Sequence, residues 1–125
     1  MNEFLNSLKN SVRECNKPFQ HWEINKPLTQ NIINEIISVK IPEGQHAYDG
    51  TRAADYSGGG IDNKLRIFVD KKNCHLYPEL KSLIKTLQSK SCQNIVSNYL
   101  NKDISKSYVR LEVIADKIGF WLKPH

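Results

Sequence analysis

Apolar residues recur in this chain with two different periods, and the two alternate along its length. Leu80, Leu83, Ile84 and Leu87 stand at i, i+3, i+4 and i+7, which puts them on one side of a helix. Leu65, Ile67 and Val69 alternate with Arg66 and Phe68, and Val109, Leu111 and Val113 alternate with Arg110 and Glu112, which is the period of a strand. A chain with both periods has to pack helices against a sheet. The class expected is therefore α+β.

The other segments fit that frame. Phe4, Leu5, Leu8 and Val12 predict a helix over residues 3–15, ended before Pro18. Phe19, Trp22 and Ile24 predict a strand over residues 19–24. Leu28, Ile32, Ile33, Ile36 and Ile37 predict a second helix, opened at Pro27 and Leu28 with Thr29 as a candidate N-cap. A third helix is expected over residues 77–87, with Pro78 near its start, where a missing N–H costs nothing. A fourth follows, capped by Ser91, with Ile95, Val96, Tyr99 and Leu100 inward. Residues 43–63 are rich in Gly and turn formers, long for a passive connection. At the C-terminal end, residues 115–119 can reverse the chain so that residues 120–123 return as a strand paired with 109–113.

With 125 residues and no internal repeat, one domain is expected. No apolar run approaches the roughly 20 residues of a membrane span, and the N-terminus lacks the pattern of a secretory signal. The expectation is a soluble, cytoplasmic protein with no membrane partner. Cys15, Cys74 and Cys92 are odd in number and widely spaced, which predicts reduced structural thiols rather than a disulfide or zinc framework. His21, His46 and His75 lack metal-site spacing along the chain and are expected at the surface or in hydrogen bonds. Trp22 and Trp121 are expected as core anchors.

The net charge of +5 is concentrated: residues 81–125 hold eight Lys/Arg against three Asp/Glu. Such a face can attract nucleic acid or an acidic protein, and a non-enzymatic basic binding module is the alternative functional class. A solvated lysine surface is the simpler account. No Lys/Arg run exceeds two residues, and no aromatics interleave to stack bases, which disfavours nucleic acid. Gly58-Gly59-Gly60 lacks the Gly-Lys-Ser/Thr ending of a phosphate loop.

Residues 108–125, ending Phe120-Trp121-Leu122-Lys123-Pro124-His125, resemble the strand–turn–strand that leads into the catalytic barrel of iron(II)/2-oxoglutarate-dependent oxygenases. Tyr48-Asp49-Gly50-Thr51-Arg52-Ala53, followed by Leu65-Arg66-Ile67-Phe68, is similar to a subgroup of bacterial, marine and phage members. The resemblance spans about residues 18–125. It implies the front part of a double-stranded β-helix (jelly-roll, cupin-like) fold, with helices packed on an incomplete antiparallel sheet. It also implies oxidation, such as hydroxylation, of a small-molecule or protein substrate with iron(II), 2-oxoglutarate and dioxygen.

The chemistry explains the pattern. Two histidines and a carboxylate hold the iron on one face and leave positions for the cosubstrate and dioxygen. A His-x-Asp/Glu pair at a strand end aims both groups the same way. By the resemblance, His125 is the first iron-ligating histidine. The acid expected two positions later and the second histidine have no counterpart, so the chain corresponds to an oxygenase domain cut off at that histidine. Alone it is expected to bind neither iron nor 2-oxoglutarate productively and to be inactive. Arg52, with Asp49 and Thr51, is the candidate substrate-binding group; the alternative is a turn at Asp49-Gly50 with Arg52 paired to an acid. Arg110 and Glu112 share a strand face that either lines a barrel interior or meets solvent. An open sheet edge is expected to favour self-association into a homo-oligomer.

Overall fold

The computed structural model describes residues 2–41 and 66–115. In chain order these form α1 (Glu3–Asn10), β1 (Val12–Cys15), β2 (His21–Ile24), α2 (Gln30–Ser38), β3 (Arg66–Val69), a 3-10 turn (Cys74–Leu76), α3 (Pro78–Leu87), α4 (Lys90–Leu100) and β4 (Leu111–Ile114). Among the described residues the strands pair as two antiparallel two-stranded sheets, β1 with β2 and β3 with β4. The class is α+β, as the mixed periodicity implies. None of the described helices is long and apolar enough to cross a membrane.

Each helix begins where a side chain satisfies its free N–H groups. The Asn2 carboxamide oxygen accepts from the backbone N–H of Phe4 and Leu5 at the start of α1. Thr29 caps α2 through the N–H of Ile32, as its position predicts. Pro78 occupies the first turn of α3, where its missing N–H is no loss. The start of α3 also receives a carboxylate from another helix. The Leu80 and Glu79 N–H groups donate to Glu35 of α2 at 2.7 and 3.2 Å. α4 is capped by Ser89 rather than Ser91: the Ser89 hydroxyl accepts from Cys92 N–H and donates to the Thr86 carbonyl. Both serines suit a cap by type, and the turn after α3 places Ser89 there. Asn101 ends α4 with φ 49°, a left-handed position that Asn tolerates.

The expected helix over residues 3–15 is corrected. It stops at Asn10, and Ser11 leaves helical geometry with φ −130°. Val12 then pairs with Ile24, so its β-branched side chain serves a strand. The apolar spacing that suggested a longer helix merely ran across this junction. The strand expected from Phe19 begins at His21, and Phe19 stands exposed. The strand expected from Val109 begins at Leu111.

The core gathers Ile32 and Val39, Val69 of β3, and Leu80 and Leu83 of α3. Ile67, Leu111 and Val113 pack against it from the same face of the β3–β4 pair. Leu80 is only 1% exposed. Ile37, placed on the apolar stripe of α2, is 77% exposed, and Leu100 of α4 is also exposed. Cys92, absent from the expected inward set, is buried there instead. α1 packs on α4, where the Tyr99 hydroxyl donates to the Leu8 carbonyl at 2.6 Å. Gln88 clamps the approach to β4: its amide nitrogen donates to the Ser107 carbonyl, and its oxygen accepts from Val109 N–H.

Candidate functional site

The residues that the sequence nominated for iron and substrate contact, His125, Asp49, Thr51 and Arg52, lie outside the described residues, as does the strand expected over residues 120–123. The segment before them is described. β4 pairs with β3 in the register Ile67↔Val113, Phe68↔Glu112 and Val69↔Leu111. Strand alternation sends Ile67, Val69, Leu111 and Val113 toward the helices. It leaves Phe68, Glu112 and Ile114 on the opposite face. There the Arg110 guanidinium lies 5.4 Å from the centre of the Phe68 ring and 3.9 Å from Glu112. The sheet thus has an aliphatic side covered by helices and a mixed, partly charged side facing away from them.

A different constellation sits on the β1–β2 hairpin. Cys15 and His21 are cross-strand partners, and Arg13 pairs with Glu23 two residues along. All four therefore share one face of the hairpin. One donor atom from each of Cys15, His21 and Glu23 lies within 4.8 Å of the others. Cys15 and His21 are half-buried, and Glu23 is exposed. The His21 Nδ1 is 2.9 Å from the Phe19 carbonyl, a partner that can only accept, so Nδ1 carries the proton. In the neutral ring the other nitrogen, Nε2, presents a lone pair, and it lies 4.0 Å from Glu23 Oε1. Arg13 donates to Glu23 Oε2 from Nε at 3.1 Å and from Nη2. The hydrogen bond and charge of Glu23, with a smaller contribution from Cys15, raise the Arg13 pKa above its ordinary value.

Reading along the chain missed this group because residues 3–15 were expected as one helix, which puts Cys15 nowhere near His21. The signal was nevertheless in the sequence: His21-x-Glu23 is a strand pair of potential ligands, and Pro18 marks a reversal between it and Cys15. The expectation of free thiols agrees with the structure for Cys15, Cys74 and Cys92.

Two depressions lie on the described surface. A cleft of about 150 Å³ lies between α1, α2 and α3, lined by residues including Asn2, Thr29, Ile32, Leu83 and Thr86. It is below the roughly 300 Å³ of usual small-molecule sites. The other, about 600 Å³, is a broad open hollow at the end of α4, lined by Asn94, Ser97, Asn98, Asn101, Lys102 and Asp103. Hydrogen bonds from Ser105 hold the Asp103 carboxyl below its ordinary pKa. Neither depression converges catalytic groups on an enclosed apolar space. Comparison with protein families, with characterised proteins and with solved structures finds no match to this chain.

Proposed function

We propose that this chain forms the front part of an iron(II)/2-oxoglutarate-dependent dioxygenase of the double-stranded β-helix type. The observation that carries the proposal is the likeness of residues 108–125 to the segment that brings such enzymes their first histidine. The two-sided β3–β4 pair supports it. A barrel strand needs one side for packing and another for the site, and β4 has an aliphatic side under helices and an opposite side bearing Arg110 and Glu112. In this reading His125 is the first iron ligand, and Arg52, Asp49 and Thr51 contact the substrate.

The described residues do not fit the iron centre. The group that converges among them is one thiol, one imidazole and one carboxylate, not two imidazoles and a carboxylate. None of the described residues is therefore placed at the iron. The decisive test is the coding sequence downstream of His125. An Asp or Glu two residues on, followed later by a histidine, is expected; absence of both overturns the proposal. Anaerobic iron(II) titration of the extended chain, with and without 2-oxoglutarate, then reads binding directly.

A basic binding module remains the second reading, favoured by the exposure of Lys81, Lys85, Lys90, Lys102 and Lys106. It requires binding to unrelated DNA or an acidic protein that weakens steeply with salt. Lack of binding at low salt removes it.

A further inference from the structure

We infer that Cys15, His21 and Glu23 form a binding site for a zinc-class divalent cation, independent of the iron centre of the proposed oxygenase. The backbone pre-sets the geometry. The Cys15↔His21 pair is fixed by the hairpin register, and Glu23 lies two residues from His21 on the same face. Zinc binds sulfur at about 2.3 Å and nitrogen or oxygen at about 2.0–2.2 Å, so tetrahedral donors stand about 3.3–3.7 Å apart. The donors here are all within 4.8 Å, and the imidazole–carboxylate separation is 4.0 Å. Side-chain rotations of about 1 Å close that gap with no movement of the strands.

The outer contacts suit the role. Donation from His21 Nδ1 to the Phe19 carbonyl fixes the ring and leaves Nε2 available, the arrangement usual behind a metal-bound imidazole. Arg13 engages one oxygen of Glu23, Oε2, and the other, Oε1, faces His21. The thiol selects the metal: a sulfur ligand favours zinc or a similar soft-to-borderline ion over magnesium or calcium, which take oxygen ligands. On binding, Cys15 gives its proton to solvent and coordinates as thiolate. Three protein ligands leave a fourth position for water. The ion would also bridge β1 and β2, adding a cross-link to a two-stranded hairpin of a kind that is marginal alone.

Cobalt(II) is the probe, because thiolate coordination gives it an intense near-ultraviolet charge-transfer band. The full chain is expected to take up one equivalent with that band and tetrahedral visible absorption, and zinc should displace it. Cys15→Ser is expected to abolish the band. His21→Ala is expected to weaken zinc binding by more than about tenfold, since even outer-contact changes cost that much. Cys74→Ser serves as the control and should leave the spectrum unchanged. Far-ultraviolet circular dichroism checks that each variant is folded. Absence of the band in the folded wild-type chain, or its survival in Cys15→Ser with loss in Cys74→Ser, overturns the inference.

Discussion

Leu80 and Cys92 show how much one buried side chain carries here. Leu80, on α3, is the most enclosed large side chain among the described residues, in the core that α3 shares with α2 and the β3–β4 pair. Leu80→Ala removes its packing and leaves a cavity, so urea unfolding should show a loss of about 2–5 kcal/mol. Ile37→Ala, on the apolar stripe of α2 but 77% exposed, should change stability by less than about 0.5 kcal/mol. Cys92 is 3% exposed, and burial pushes its thiol above the ordinary value of 9.0. Below that value the thiol is neutral in both folded and unfolded chains. Above it the unfolded chain releases a proton that the folded one keeps, so stability falls as pH rises past about 9. Urea midpoints measured across that range should decline more steeply in the wild type than in Cys92→Ala.

At the scale of elements, the junction between α2 and α3 depends on one carboxylate. Glu35 accepts from two N–H groups at the start of α3, where the helix dipole favours negative charge. Glu35→Ala leaves both donors without that partner and should cost about 1.5–3 kcal/mol. Glu35→Gln keeps one acceptor oxygen but sets an NH2 donor against the other N–H, so it loses the charge and one of the two hydrogen bonds, and about 1–2 kcal/mol is expected. A loss below about 0.5 kcal/mol in Glu35→Gln would mean that the second hydrogen bond contributes little. Gln88 plays a comparable part for β4, gripping backbone groups on both sides of Tyr108.

Across the molecule, the described residues divide by how much apolar surface each element covers. α2, α3 and the β3–β4 pair share the main core, whereas the β1–β2 hairpin has no residue in it. Opening should therefore be cheapest at the hairpin. Hydrogen exchange is expected to protect the amides of Leu83, Ile84 and Val113 most and those of residues 13–23 least. Zinc at the proposed Cys15–His21–Glu23 site should slow exchange in the hairpin selectively, because the ion links its two strands.

Periodicity and cap chemistry are local properties, and they were legible in the chain. The stripe Leu80, Leu83, Ile84, Leu87 announces α3, Thr29 announces α2, and Leu111 with Val113 announces the aliphatic side of β4. Which neighbours meet is not local. Ser89 and Ser91 are equivalent by type, and the turn after α3 chooses between them. Val12 continues a helical apolar pattern until pairing with Ile24 outweighs it. Glu35 reaches α3 from 44 residues away, and Cys15 meets His21 only once the hairpin closes. Local preferences differ by less than about 1 kcal/mol per residue, so long-range burial and pairing decide among the arrangements they allow.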